Sequence, residues 1–314
     1  MNRIEKNRML LPARWPNYDS SMYSTRNWKK LYTSKDSTFF VDNSWPENYW
    51  NGAWCYAIAG KKWVVNVEQV LSSKDSILKM KDFWTILNSI KQSCDKANVQ
   101  IITGDTKVVE KGKGDKIFIN TSGIGVLHPN ADIRLSKIKT GDAIIVSSNI
   151  ADHGIAIMSK RQGLEFETDI KSDTTNLNFT IQKLVDAFGE KIHFLRDATR
   201  GGIASVLNEI AKDGNMGIDI QEKNIPLNEQ VNGACEMLGL DPLYVANEGV
   251  FIAIIDATIQ NEVMQLLTED DNCKNAKVIG SITNEHIRQV ILQSKIGGRR
   301  VVNMLPGEQL PRIC

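Results

Sequence analysis

The residues able to do chemistry fall in a few places. The chain stops at Cys314, behind Pro306, Gly307 and Pro311, which forbid helix and disfavour a paired strand. The tail is therefore expected to be extended and mobile. From Met304 onward it reaches roughly 36 Å, so a terminal thiol can be carried into a remote pocket. A frayed end without a role would look the same. Asp197-Ala198-Thr199-Arg200-Gly201-Gly202 stands where a strand pattern hands over to a helical one. Free N–H groups at a helix start favour anions, and paired glycines let a phosphate approach closely. Arg200 adds a charge-assisted clamp, and Asp197 is the ligand type magnesium prefers. The same residues also read as a plain helix start capped by Asp197 or Thr199.

Three smaller groups have a similar flavour. Gly104-Asp105-Thr106-Lys107 reads as a polar loop offering a carboxylate for metal and an ammonium for phosphate, or two solvated charges. Asp152-His153-Gly154 supplies an imidazole that titrates near neutral pH, or a helix-start residue. Asn247-Glu248-Gly249 places a carboxylate before a buried strand, or forms a turn. Neither a Walker A sequence nor a GxGxxG occurs, so P-loop and Rossmann readings lack support.

The elements that must position these groups are legible from about Asp82. Phe83, Ile86, Leu87, Ile90, Cys94 and Ala97 fall at helical spacing, with Asp82 as the N-cap. Strands are expected over 99–102 and 116–127, then a linker over 129–140 and a buried strand over 142–148. Residues 149–154 lead into a helix, and 176–188 form another closed by Gly189. Further strands are expected over 192–195, 216–220, 250–255, 278–282 and 289–292, with helices over 203–212, 229–238 and 260–267. This alternation argues a mixed α/β or α+β domain. The expected division is 1–138, 139–302 and a tail over 303–314. Earlier, only 63–71 reads as a strand, and 45–52 reads as loop.

Composition bounds the classes. The chain has 314 residues, which favours two domains. Lys and Arg number 38 against 37 Asp and Glu, so no basic field points to nucleic acid. No apolar run approaches a membrane span, and residues 1–17 lack the features of a secretory signal. The five cysteines (Cys55, Cys94, Cys235, Cys273, Cys314) include no CxxC pair. That fits a reducing cytoplasm, with four of them small core residues or inert thiols.

Several motifs in order resemble the HypE family of hydrogenase maturation proteins. They are Ile101-Ile102-Thr103-Gly104-Asp105-Thr106-Lys107-Val108-Val109, Asp152-His153-Gly154, the loop over 197–202, Leu243-Tyr244-Val245-Ala246-Asn247-Glu248-Gly249, Gly297-Gly298-Arg299-Arg300, and Gly307-Glu308-Gln309-Leu310-Pro311-Arg312-Ile313-Cys314. The matches run from about residue 82 to the end. The resemblance implies the two-domain fold of aminoimidazole ribonucleotide synthetase and selenophosphate synthetase, an α/β domain that pairs in a homodimer and an α+β domain. It implies ATP between the domains, with Asp105, Thr106, Lys107, Asp197, Thr199, Arg200, Gly201, Gly202 and Asn247 at the nucleotide and Mg2+ on Asp105 and Asp197. In the family, a HypF-type partner places a carbamoyl group on the terminal cysteine, here Cys314. ATP-dependent dehydration then gives a thiocyanate, whose cyano group passes to iron on the HypC–HypD complex for [NiFe]-hydrogenase. His153 and Glu248 are both candidates for the base.

The first 80 residues depart from the family. Of 22 glycines, only Gly52 and Gly60 precede residue 85, too few for the family's Gly-dependent turns. All seven Trp lie between Trp15 and Trp84. A divergent domain, a replaced one and a segment read in another frame would each leave this signature, and the abrupt return near Asp82 points to the last. Such a product would lack half of its nucleotide site. Two other functions remain on the sequence: a synthetase or kinase of the same superfamily acting on a free small molecule, and a non-catalytic docking module.

Overall fold

The computed structural model describes residues 28–34, 37–42, 53–57, 63–72, 79–109, 117–163 and 170–304. The chain divides into two units, 1–126 and 127–314. The tail residues 305–314, Cys314 among them, and the expected loop over 45–52 lie outside the described residues.

In the first unit, β1 (Trp28–Ser34), β2 (Ser37–Asp42) and β3 (Ala53–Ala57) form an antiparallel sheet in that order. In a second sheet β4 (Trp63–Ser72) is central, parallel to β5 (Gln100–Val109) and antiparallel to β6 (Ile117–Gly125). A parallel pair needs a long crossover, and α1 (Met80–Ala97) is part of it. The half-buried positions of α1 include Phe83, Ile86, Leu87, Ile90, Cys94 and Ala97, the face that helical spacing predicts. Its start differs from expectation. The N-cap is Lys79, whose side chain makes no capping bond, and Asp82 lies in the first turn. There its charge still favours the positive end of the helix dipole.

Residues 104–107 are not a loop. They continue β5, with Gly104 opposite Val67, Asp105 opposite Glu68 and Thr106 opposite Gln69. Thr103, Thr106, Val108 and Val109 are β-branched and suit a pleated surface, and β4 offers partners along the whole run. The polarity at Asp105 reflects an exposed position on a strand.

The second unit is built on one seven-stranded sheet. Its strands are β7 (Ala143–Val146), β8 (Ile192–Asp197), β9 (Gly217–Gln221), β10 (Phe251–Ile255), β11 (Lys277–Thr283), β12 (Val290–Gln293) and β13 (Arg299–Val302), in the order β13-β12-β9-β11-β7-β10-β8. Only β12 and β9 pair in parallel. The helices are α2 (Asp152–Gln162), α3 (Asn178–Phe188), α4 (Gly202–Asp213), α5 (Glu229–Leu238) and α6 (Gln260–Glu269). β7 and β10 are apolar and buried at every position, the pattern of a strand covered on both faces. On one face Ile144, Val146, Ile252 and Ile254 pack in the cluster that holds Ile203, Leu207 and Ile210 of α4. On the other, Ala143, Ile145, Phe251 and Ile255 join Leu184 of α3 and Val263 and Leu267 of α6. Each such Ile or Leu contributes on the order of 1.5–3 kcal/mol. A third cluster sets Ala151 and Ile155 against Val231, Ala234 and Cys235 of α5 and Val245.

The segment expected as a linker packs with this unit. Arg134 donates its N–H to the His193 carbonyl at 2.9 Å, and Ile138 enters the core. No described helix is long and apolar enough to cross a membrane.

The sheet order dictates where the chemistry collects. β10 lies between β7 and β8 and runs antiparallel to both, so it begins where they end. Val146 faces Ile252, and Asp197 faces Phe251. Beyond the ladder, Ser147 N–H donates to Phe251 O at 3.0 Å and Ala198 N–H to Val250 O at 3.1 Å. The loops at 147–151, 197–201 and 245–250 therefore share one end of the sheet.

Candidate active site

Asn247 ties these loops together. Its side chain is fully buried. Oδ1 accepts the N–H of Ala151 at 2.7 Å, while Nδ2 donates to Ala198 O at 3.0 Å and Val245 O at 3.1 Å. Both amide hydrogens are thus used on protein, so Asn247 acts as the clasp of the loops. Ala151 holds a left-handed φ of 72° immediately before α2. Gly154, one turn later, donates to Ala246 O at 3.1 Å, and a Cβ there would stand 2.3 Å from Val245 Cγ1. The Asp152-His153-Gly154 start of α2 is thereby pressed against the loop that carries Glu248.

A further segment, 171–175, completes the cluster. Asp173 Oδ1 accepts the N–H of Glu248 at 2.9 Å and that of Gly249 at 3.1 Å. Ser172 Oγ lies 2.8 Å from His153 Nδ1. Asp152 Oδ1, His153 Nε2, Asp173 Oδ2 and Glu248 Oε1 are buried and make no hydrogen bond among the described residues. Buried polar atoms are almost always paired, so four orphans drawn from three segments mark a place prepared for a ligand. Burial, reinforced by the charge of Asp173, pushes the Asp152 carboxyl up to about 6. Burial likewise raises Asp173. It raises Glu248 as well, with His153 acting against it and Asp173 and Asp197 adding to it. A carboxylate so placed holds a proton more readily than one in water.

The loop over 197–202 sits beside this cluster. Asp197 and Arg200 are exposed, and Thr199 Oγ1 donates to the Asp197 carboxylate. Arg200 forms no ion pair among the described residues. The start of α4 is not capped by any side chain. An uncapped helix N-terminus beside a free guanidinium fits an anion such as a phosphate. The glycines also serve packing. Gly201 and Gly202 have φ of 65° and 61°. A Cβ at Gly202 would stand 2.3 Å from Leu243 O, and one at Gly201 2.1 Å from Ser205 Oγ. Their missing side chains make room for protein.

Asp105 and Thr106 lie in the first unit, where Asp105 Oδ1 accepts the Thr106 N–H at 2.8 Å. Lys107 follows on β5, and its side chain lies outside the described part. Among the described residues no three His, Cys, Asp or Glu side chains gather as a metal cage. Cys235 and Cys273 are buried, and burial pushes their thiols up to about 11 and about 12, leaving them poor nucleophiles. The chain after β13 is anchored beside the site. Arg300 pairs with Asp241 at 2.7 Å, and Tyr244 donates its hydroxyl to Asn303 O at 2.8 Å.

Sequence reading missed Ser172 and Asp173. Lys171-Ser172-Asp173-Thr174-Thr175 is an ordinary polar run, and nothing local marks it as a partner of residues 75 or more positions away.

A helix-flanked, largely antiparallel sheet that gathers three loops at one end defines the class. The AIR synthase related protein family matches with its C-terminal domain over 139–293 and its N-terminal domain over 56–127. The family pattern thus reaches back to residue 56 and takes in β4, earlier than Asp82. A carbamoyl dehydratase HypE of Bradyrhizobium diazoefficiens is 44% identical over 233 residues, 74% of this chain and 67% of that protein. The solved structure of hydrogenase maturation protein HypE in complex with ATP is similar at a TM-score of 0.76 and 39% identity, covering 80% of this chain and 75% of the other. A HypE–HypF complex structure is similar at a TM-score of 0.73 and 38% identity, covering 76% and 77%. The chain belongs to the HypE family.

Proposed function

We propose that this protein acts in hydrogenase maturation as an ATP-dependent dehydratase of a carbamoyl group carried on Cys314. The reading rests on one observation above the others: Glu248 and His153 present unpartnered buried atoms at the sheet end beside the uncapped start of α4. Family membership supplies the substrate class. Bound ATP with its magnesium would phosphorylate the carbamoyl oxygen and turn it into a leaving group. Arg200 and the α4 N-terminus would hold the phosphates, with Asp197 on the metal; Asp105, Thr106 and Lys107 keep the nucleotide and metal roles that the family resemblance implies. Glu248, with its raised proton affinity, would take one amide proton as the C–O bond breaks and phosphate leaves, and loss of the second amide proton leaves the nitrile. His153, hydrogen-bonded at Nδ1 and free at Nε2, would receive or relay a proton.

Tethering makes the reaction intramolecular, which lowers the barrier by several kcal/mol. The ten residues after Met304 span at most roughly 35 Å. Their root is held by Tyr244, on the loop that carries Glu248. A HypF-type carbamoyltransferase would load the thiol, and a HypC–HypD complex would accept the cyano group, in the cytoplasm and with the chain as a homodimer. The test is Glu248→Gln, which keeps the shape and removes the base. Carbamoylated on Cys314 and given ATP, it should retain the carbamoyl group while wild type loses water. Dehydration at the wild-type rate would remove Glu248 from the chemistry.

A further inference from the structure

One short segment touches both candidate bases. Ser172 Oγ meets His153 Nδ1 at 2.8 Å and Thr174 Oγ1 at 2.6 Å, and Thr174 N–H returns to Ser172 Oγ at 3.2 Å. The next residue, Asp173, accepts the N–H groups of both Glu248 and Gly249 on a single oxygen. Backbone contact is closer still, because a Cβ at Gly249 would stand 1.9 Å from the Asp173 carbonyl oxygen. The two segments are therefore fitted to each other at the residue that follows Glu248. Among the described residues the other carboxylate oxygen of Asp173 is buried and unpartnered, like Glu248 Oε1. A residue needed only as a staple would have no use for a second oxygen left unsatisfied at a cost.

We infer that Asp173 is a positioning residue for Glu248: it fixes the turn that aims the Glu248 carboxylate and sets a second carboxylate beside it. This rests on Glu248 being the base of the proposed dehydration. The groups that Glu248 feels are His153 on α2, Asp173 on this segment and Asp197 at the end of β8. Asp173 in turn acts on Asp152. The charge of Asp173 raises the proton affinity of Glu248, so removing that charge makes Glu248 ionise at lower pH.

Two variants separate aiming from charge. Asp173→Asn keeps an oxygen to accept the two N–H groups and loses the charge; Asp173→Ala loses both. Dehydration of carbamoylated Cys314 is followed across pH in single turnover, together with ATP affinity and amide hydrogen exchange at Glu248 and Gly249. Asp173→Asn is expected to move the acid limb to lower pH with exchange as in wild type. Asp173→Ala is expected to speed exchange at both amides and to slow turnover by roughly tenfold or more, with ATP affinity unchanged. An acid limb that stays in place in Asp173→Asn, or amides as protected in Asp173→Ala as in wild type, overturns the inference. If wild type itself does not dehydrate, the proposed function fails, and the amide exchange still decides whether Asp173 holds the turn.

Discussion

Asn247 is the residue on which the site's geometry depends most, and replacing it has a calculable cost. In Asn247→Ala three buried backbone groups lose their partner: Ala151 N–H, Ala198 O and Val245 O. Ala151 and Ala198 have no exposure and Val245 has 1%, so water cannot replace the bonds without opening the loops. At about 1–3 kcal/mol for each buried group left unsatisfied, the loss is on the order of 3–9 kcal/mol. That is a large part of the 5–15 kcal/mol a domain typically has. Asn247→Asp is the sharper probe. Its carboxylate still accepts from Ala151 but has no hydrogen for the two carbonyls, and the buried charge is unpaired. Its folded pKa must lie above the unfolded value, so the penalty is small below about pH 4 and grows as pH rises through the folded pKa. Urea unfolding of the full chain at several pH values, relative to wild type, measures both effects. An Asn247→Ala cost under about 1 kcal/mol, or a pH-independent difference for Asn247→Asp, would refute the clasp.

Two further outcomes follow from the same geometry. Asp152 has a raised folded pKa of about 6, so the stability it contributes is complete below its ordinary value of 3.8 and is lost as pH rises through about 6. Asp152→Asn should therefore be more stable than wild type at pH 8, by roughly 1–2 kcal/mol after allowing for solvent screening, and indistinguishable at pH 4 in thermal melts. Gly202→Ala combines a left-handed φ with a Cβ 2.3 Å from Leu243 O. It should cost at least about 3 kcal/mol in urea unfolding, with or without nucleotide, because the glycine serves packing.

Much of the second unit was readable because its elements are periodic and well punctuated. Glu229–Leu238 matches its expected span, and the all-apolar runs over 143–146 and 251–255 are the doubly covered strands. Gly189 stops α3 as its position suggests. The errors have physical causes. A polar stretch inside β5 imitated a loop because strands at exposed positions carry polar residues. The packing role of the glycine pair was not legible, because close packing and close ligand approach make the same demand on a residue without a Cβ. The clasp made by Asn247 was not legible, because an amide fits a ligand or a loop equally. Asp173 was invisible because its value comes from two N–H groups far along the chain, a juxtaposition created only when β10 seats between β7 and β8.

The central claim is that Cys314 carries the group and that the site at the end of the sheet dehydrates it. The most direct measurement is an intact-mass time course of the full chain with a HypF-type carbamoyltransferase, carbamoyl phosphate, ATP and magnesium, run beside Cys314→Ala. The account predicts a gain of one carbamoyl group, then loss of one water on the same molecule, and neither change in Cys314→Ala. Carbamoylation that persists in Cys314→Ala, or a loaded wild-type chain that never loses water in the presence of ATP, would contradict it.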